Sequence, residues 1–132
     1  MQFLKFTLAI GAMVFICCVL GCAGKSIESY KPTSESARKA IETALSTWKS
    51  GTAHGSITSV KPSVDVFDAR WRAGAKLENY EILTEVTGKP EPHFTVKIKL
   101  AGKPEETTEY LVVGIDPLLV FRQADYEKAT GM

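Results

Sequence analysis

The chain has 132 residues, which is enough for one small domain and too short for a multidomain enzyme. Its 16 Lys and Arg residues almost balance its 15 Asp and Glu residues, so the formal net charge is only +1. This balance argues against a nucleic-acid-binding protein, which normally carries a strongly basic patch. The apolar content of 45% is ordinary for a globular protein, but it is unevenly distributed.

The first 21 residues differ sharply from the rest of the chain. They contain 16 apolar residues and one charged residue, Lys5, whereas residues 22–132 are about 39% apolar. All three cysteines also lie within the first 22 positions. Residues 8–20 form an unbroken apolar run, which is shorter than the roughly 20 residues that a membrane-spanning helix needs. The segment is therefore predicted to be a secretory signal.

The sequence Val19-Leu20-Gly21-Cys22 ends this apolar segment. Its branched Val19, small Gly21 and following Cys22 resemble the lipobox of bacterial lipoproteins. The resemblance implies that Cys22 receives a diacylglyceryl thioether and becomes the first residue after cleavage. Two or more acyl chains give stable membrane attachment, at about 0.8 kcal/mol for each buried CH₂ group. The alternative interpretation is an uncleaved signal anchor, with the cysteines as ordinary apolar residues.

The predicted domain organisation follows from this signal. Residues 1–21 form the signal peptide, residues 22–33 the lipidated cysteine and a flexible tether, residues 34–128 an α+β globular domain, and residues 129–132 a frayed C-terminus. The tether reaches at most about 36 Å when fully extended. We expect an extracytoplasmic, membrane-anchored protein, on the periplasmic side of the inner or outer membrane or at the cell surface. Lipidation would consume Cys22, so no disulfide is expected in the mature domain.

Residues 34–50 have the periodicity of one amphipathic helix. Thr33 or Ser34 is expected to cap its start, and Gly51 is expected to end it. Trp48 is interpreted as a core residue, because the apolar stripe already explains its position. The stripe at helical spacing consists of Ala37, Ala40, Ile41, Ala44, Leu45 and Trp48.

Alternation with a period of two replaces the helical pattern in the second half of the chain. Residues 77–86 and 93–100 alternate between apolar and polar side chains and are predicted to be strands. Residues 107–115 and 118–122 are apolar on both faces and are expected to be the most buried strands. The expected fold is α+β, with one N-terminal amphipathic helix packed on a roughly four-stranded antiparallel sheet.

The segments outside these elements carry weaker signals. Val64, Val66 and Phe67 are compatible with a short strand, and residues 68–74 with a turn of helix or an irregular segment. Residues 52–59 are interpreted as a loop, and residues 125–132 as a short helical turn with a frayed end.

The order of elements resembles the cystatin-like and NTF2-like folds, in which a sheet curls around an N-terminal helix. The sequences Asp68-x-x-Trp71-x-x-Gly74 and Val113-Gly-Ile-Asp-Pro117 are similar to segments of small, uncharacterised bacterial lipoproteins. This resemblance covers nearly the whole mature chain, and it implies no particular activity. A fold of this kind does not establish a function by itself.

Few residues stand in patterns typical of catalysis or metal binding. The two histidines, His54 and His93, lie in no paired metal-ligand spacing, and no G-x-S-x-G motif or phosphate-binding loop occurs. His93 is expected on the polar side of its strand. We therefore predict no catalytic residue, no metal site and no cofactor.

One group of charged and aromatic residues is a candidate ligand-binding or structural cluster: Asp68, Arg70, Trp71, Arg72, Arg122, Asp125 and Tyr126. In the ligand-binding interpretation, an arginine holds a carboxylate or phosphate while Trp71 or Tyr126 stacks on an apolar ring. In the structural interpretation, Arg122 pairs with Asp68 or Asp125, and Trp71 packs against the sheet. The structural interpretation is favoured, because ion pairs of this kind are common.

The expected function is that of a lipid-anchored cell-envelope protein that acts as a non-catalytic binding or structural module. Its expected partners are the membrane, through the lipid on Cys22, and an unidentified envelope protein; nucleic acid and metal are not expected. The alternative is a small-molecule-binding or enzymatic NTF2-like domain that uses Asp68, Trp71 and Arg122. A third interpretation is a subunit of an envelope complex that binds through an exposed strand edge.

Overall fold

A computed structural model describes residues 31–131 of the chain. The predicted signal peptide, Cys22 and most of the predicted tether lie outside the described residues. The helices of the described part are α1 (Ser34–Lys49), α2 (Ala69–Arg72) and α3 (Gln123–Thr130). The strands are β1 (Ser56–Ile57), β2 (Val64–Phe67), β3 (Leu77–Val86), β4 (His93–Leu100), β5 (Glu106–Val113) and β6 (Leu118–Arg122). None of the helices between residues 31 and 131 is long and apolar enough to cross a membrane.

The strands form one open, mostly antiparallel sheet in the order β1-β2-β6-β5-β4-β3. The exception to the antiparallel pattern is β2, which pairs with β6 in parallel. The α+β class is confirmed, but the expected number of about four strands is wrong, and so is the purely antiparallel pairing. The two residues of β1 are too few for an alternation to be recognised. The pairing of β2 with β6 joins segments that are far apart in the sequence, and local periodicity carries no signal for such a contact.

Helix α1 forms as its periodicity predicts. The side chain of Thr33 caps its start by accepting a hydrogen bond from the backbone N–H of Ser36 at 3.1 Å. The helix ends at Lys49, and Gly51 follows with a φ of 90°, a conformation that a residue without a Cβ adopts easily. The buried residues of α1 are those of the predicted stripe: Ala37, Ala40, Ile41, Ala44, Leu45 and Trp48.

The two ends of α1 are attached near opposite ends of β3. At the start of the helix, the Ser34 hydroxyl donates a hydrogen bond to the Glu85 carboxylate at 2.6 Å. At its end, the indole N–H of Trp48 donates to the carbonyl of Ala75 at 2.8 Å, just before β3 begins. The 16 residues of α1 span about 24 Å. Thr33 and Trp48 therefore lie at opposite ends of the domain.

The hydrophobic core fills the space between α1 and one face of the sheet. The buried strand residues that form it are Val64, Val66, Leu77, Phe94, Val96, Ile98, Leu100, Tyr110, Val112, Leu118 and Val120. Leu111, between two of them in β5, belongs to the opposite face and is also fully buried. Helix α3 packs on that face, where the ring of Tyr126 lies edge-on to Phe121 with the centroids 5.1 Å apart. Burial on both faces explains why the second half of β5, residues 110–113, is apolar in both alternating sets.

His93 lies on the predicted face of β4, opposite Phe94, but this face is covered at that position. The side chain is only 4% exposed. One ring nitrogen lies 2.8 Å from the carbonyl oxygen of Glu91, and the other lies 2.9 Å from Oε1 of Gln123. Gln123 begins α3, so this helix covers the end of the sheet face on which the alternation places His93.

A bulge changes the register in the second half of β3. The alternation predicts that Thr84 and Val86 share a face with Ile82. However, the pairing with β4 shifts between Ile82 and Glu85, so that Glu85 pairs with Phe94 on the core side of the sheet. The Glu85 carboxylate thereby reaches the start of α1.

Candidate functional site

The structure divides the candidate cluster between two neighbouring places. Asp68, Arg70, Arg122 and Asp125 belong to a buried polar network, and Trp71 and Arg72 belong to an open cleft. Tyr126 lies apart from both, against Phe121 on the other face of the sheet. Helix α2 has only four residues, yet it supplies side chains to both places.

Asp68 lies at the junction between β2 and α2. Its backbone is still extended, and its Oδ1 atom accepts a hydrogen bond from the backbone N–H of Arg70 at 2.9 Å. This is the geometry of a helix N-cap, for which aspartate is a preferred residue. The side chain is directed into the protein and Asp68 is only 1% exposed.

The second oxygen of Asp68 accepts a hydrogen bond from Tyr110. The phenol donates to Oδ2 at 2.5 Å, and Nη2 of Arg70 lies 3.3 Å from the phenol oxygen. Arg70 also forms ion pairs with Asp68 and, at the edge of the network, with Glu106. Burial and the neighbouring Asp68 charge raise the pKa of Tyr110 well above its usual value, so Tyr110 remains a hydrogen-bond donor.

A second ion pair continues the network toward α3. Arg122 donates to both carboxylate oxygens of Asp125, at 2.8 and 3.1 Å. Asp125 also accepts a hydrogen bond from the backbone N–H of Ala69 at 3.1 Å. This pair is one of the two alternatives considered for Arg122, and it links the end of β6 to the start of α2.

The pKa values of this ion pair follow from its hydrogen bonds. The bond to Asp125 raises the pKa of Arg122, although burial acts in the opposite direction. Burial by itself would raise the pKa of Asp125, but the hydrogen bonds from Arg122 and Ala69 outweigh it, so the pKa lies below its ordinary value. Both groups are therefore charged at neutral pH.

The carboxylates of the buried polar network are hydrogen-bonded to other groups of the protein. Both carboxylate oxygens of Asp68 and both of Asp125 accept hydrogen bonds from the protein. A buried carboxylate that is fully hydrogen-bonded holds its surroundings in place. The buried polar network therefore joins β2, α2, β5 and the start of α3 at one end of the core.

The open cleft is built on a pair of stacked tryptophans. The rings of Trp48 and Trp71 have their centroids 5.6 Å apart, with an angle of 13° between their planes. Trp71 donates its indole N–H to the carbonyl of Thr52 at 3.0 Å, just as Trp48 donates to Ala75. With both N–H groups bonded to the backbone, the two rings are held in fixed orientations.

We call the depression beside this pair the aromatic cleft. It has a volume of about 750 Å³ and opens at the end of the domain where α1 stops. Its lining residues are Trp48, Lys49, Gly51, Thr52, Ala53, His54, Trp71, Arg72, Gly74, Ala75, Lys76, Leu77, Glu78 and Ala101. Asp68 and Arg122 are absent from this lining, so Trp71 is separated from the two residues with which the sequence associates it.

The ring of His54 lies edge-on to Trp71, with the centroids 5.3 Å apart. Its Nε2 atom is buried and has no hydrogen-bond partner between residues 31 and 131. Most buried polar atoms in proteins do have a partner, which can be a water molecule or a ligand. His54 is thus a residue of the cleft wall with one unsatisfied hydrogen-bonding atom among the described residues.

Three important residues of these sites were not identified from the sequence as members of a site. Tyr110 lies in a run that is apolar on both faces, where nothing indicates the partner of its hydroxyl. Trp48 belongs to the stripe of α1, which explains its burial without indicating the stacking on Trp71. His54 lies in a loop between elements, and its only signal is that histidine is rare in this chain, which has two.

No group of three or more His, Cys, Asp and Glu side chains suited to a metal ion occurs within the described range 31–131. Comparison of the chain with protein-family models, with curated proteins and with solved structures gave no match. The arguments about function therefore rest on the residues and the geometry.

Proposed function

We propose that this chain is a lipid-anchored cell-envelope protein whose domain is a non-catalytic binding module. The lipobox-like sequence that ends at Cys22 supports the anchor. The aromatic cleft supports binding, because it combines fixed aromatic rings with polar groups that lack partners among residues 31–131. Depressions of this size, with an apolar wall and a few polar groups, are typical ligand sites.

The position of the cleft is the observation that carries this proposal. The tether joins the domain at Thr33, at the start of α1, whereas the cleft lies about 24 Å away at the end of that helix. Lipid headgroups near the attachment point would therefore leave the cleft accessible. An anchored module of this shape on a flexible tether would leave the cleft free to bind a ligand.

The proposal also includes the kind of α+β fold to which the domain belongs. A mostly antiparallel sheet that packs against an N-terminal helix supports the resemblance to the cystatin-like and NTF2-like folds. Such folds carry many unrelated activities, so the resemblance adds no substrate.

Metabolic labelling tests the anchor. Cells that produce the chain are grown with labelled palmitate, with and without globomycin, which blocks cleavage of lipoprotein signal peptides. We expect label on the mature protein, and accumulation of the unprocessed form in the presence of globomycin. Cys22→Ala should abolish both effects. The matched control is Cys18→Ala, which removes a cysteine from the same segment and should leave labelling unchanged; normal labelling of Cys22→Ala would refute the anchor.

The second candidate function is a small-molecule-binding or enzymatic domain that uses Asp68, Trp71 and Arg122. Exposure of Arg72 beside Trp71 in the cleft favours the small-molecule part of this alternative. The enzymatic part requires Asp68 and Arg122 to act on a substrate, yet both bind protein groups. Chemical conversion of a small molecule by the wild type, lost in Arg122→Gln while circular dichroism shows an intact fold, would favour the enzymatic alternative over the non-catalytic module.

A further inference from the structure

We propose that the aromatic cleft binds a small organic anion, a compound in which a carboxylate or a phosphate group is attached to an apolar ring. The inference rests on the proposed binding function and specifies the chemistry of its ligand. Charge, unsatisfied hydrogen bonding and the shape of the cleft point to it independently.

The charged residues of the cleft are mostly cationic. Lys49, Arg72 and Lys76 are exposed, and none of them has a carboxylate within ion-pair distance in the described part of the chain. The one carboxylate of the lining, Glu78, pairs with Lys99 at 3.2 Å. A concave surface with an excess of one charge attracts ligands of the opposite charge.

The end of α1 opposes this attraction only weakly. The last carbonyl groups of a helix carry about half an elementary negative charge. Three cations without an ion pair to any residue of the range 31–131 outweigh that charge, and one of them, Lys49, lies in the last turn of the helix. Arg72 provides a planar fork of N–H groups that can bind a carboxylate or a phosphate through two hydrogen bonds.

The position of His54 indicates where in the cleft the anionic group of the ligand would bind. Its buried Nε2 atom lacks a partner among residues 31–131, and its ring contacts Trp71, the neighbour of Arg72 in α2. An oxygen of the ligand would accept a hydrogen bond from this nitrogen. The charged end of the ligand is therefore expected between His54 and Arg72.

The remaining part of the cleft suits an apolar ring. Trp71 and Trp48 belong to the lining and are only 5% and 3% exposed, so they form a rigid aromatic base beneath the cleft. Three small apolar residues, Ala53, Ala75 and Ala101, also belong to the lining. A volume of about 750 Å³ is far larger than an inorganic ion requires and falls in the range of organic-ligand sites, roughly 300–1,000 Å³.

Intrinsic fluorescence is a direct measurement of this binding, because Trp48 and Trp71 are the two tryptophans of the chain. The full-length protein, purified from whole-cell lysate solubilised in dodecyl maltoside, is titrated with benzoate, phenyl phosphate, inorganic phosphate and benzamide. Benzamide has the shape of benzoate without its charge. We expect a saturable change with benzoate or phenyl phosphate, and at least tenfold weaker binding of benzamide and of inorganic phosphate.

Two variants locate the site. Arg72→Gln should raise the Kd of the bound anion at least fivefold without unfolding the protein, since Arg72 is exposed. The matched control Arg38→Gln removes an exposed arginine from the first half of α1, near the other end of the domain, and should leave the Kd unchanged. His54→Gln, which retains a hydrogen-bonding side chain, should weaken binding less than His54→Ala.

Several results would overturn the proposal: no saturable signal with either anion, equal affinity for benzamide, equal affinity for inorganic phosphate, or equal effects of Arg72→Gln and Arg38→Gln. None of these results depends on the anchor, which the labelling of Cys22 measures separately. Failed labelling with intact anion binding would refute the anchor alone. Intact labelling without anion binding would refute the ligand class alone.

Discussion

Helix α2 contributes residues to both the buried polar network and the aromatic cleft. The two places differ in whether their polar groups are bound by other protein groups. In the network, Asp68 and Arg70 bind other protein groups. In the cleft, Arg72 and His54 present polar atoms that no described residue binds. The difference indicates that the network stabilises the fold and that the cleft is available for a ligand.

The two places also differ in what holds their aromatic rings. Tyr110 depends on its hydroxyl, which forms a bond to a buried charge. Trp48 and Trp71 depend on mutual stacking and on bonds from their N–H groups to backbone carbonyls. Substitutions in the network should therefore change stability, whereas substitutions of polar groups in the cleft should change binding.

Asp68→Ala should have the largest effect on stability. It removes the cap of α2, and it leaves Arg70 and Tyr110 without their shared acceptor in the interior. Loss of one partner of a buried ion pair typically costs about 3–5 kcal/mol. We expect the free energy of unfolding, measured by urea denaturation, to fall by about 3–4 kcal/mol.

The matched control is Asp65→Ala. Asp65 lies on the same strand, β2, and is neither capping nor ion-paired within the described range. We expect a change below about 1 kcal/mol. Similar losses for the two variants would contradict the structural role of the network.

Tyr110→Phe should have the second largest effect. The substitution keeps the ring in the core but removes the donor from one oxygen of Asp68, which is 1% exposed. An unsatisfied buried acceptor costs about 1–3 kcal/mol, so the free energy of unfolding should fall by about 2 kcal/mol. Tyr126→Phe, which keeps the edge-on contact with Phe121, should change it by less than about 0.5 kcal/mol.

Asp125→Asn should have a smaller effect that depends on pH. It weakens the ion pair with Arg122, and hydrogen bonds to charged groups contribute about 1.5–3 kcal/mol. We expect a loss of about 1–2 kcal/mol at pH 7, because asparagine still accepts a bond from Ala69.

The sign of the pH dependence follows from the lowered pKa of Asp125 in the folded protein. Its stabilising contribution is complete above the pKa of the unfolded state, about 3.9, and is lost as the pH falls through the folded pKa. The difference in unfolding free energy between the wild type and Asp125→Asn should therefore shrink as the pH falls below about 4. A difference that grows on acidification would contradict the assigned bond.

Local elements of the fold could be predicted from the sequence, and contacts between distant segments could not. The stripe that ends at Trp48 and the alternation from His93 to Leu100 depend on near neighbours in the chain, so α1 and β4 have the predicted bounds to within a residue. The parallel pairing of β2 and β6 depends on no local pattern. The burial of His93 depends on α3, which begins thirty positions later with Gln123.

In the candidate site, too, some groupings of residues could be predicted from the sequence and others could not. The sequence groups Asp68 with Arg122 because both are charged residues near aromatic ones, and the structure does place them at one end of the core. It also associates Trp71 with them, whereas the helical turn of α2 directs Trp71 toward Trp48 and the cleft. The side chains at successive positions of a helix point in different directions. The sequence of so short a helix does not indicate which of these side chains faces the solvent.

Arg72→Gln should have the smallest effect on stability, and its comparison with Arg70→Gln tests the difference between the two places most directly. Both arginines belong to α2, two positions apart. Arg70 contacts Asp68, Glu106 and Tyr110, so its replacement should lower the free energy of unfolding by about 1–2 kcal/mol. Arg72 is exposed and has no ion pair with a described residue, so its replacement should change that free energy by less than about 0.5 kcal/mol. Urea denaturation of both variants at pH 7 measures the contrast. Equal losses would mean that Arg72 also supports the fold, and Lys49 and Lys76 would then be the only cations of the described lining left to attract the proposed anion.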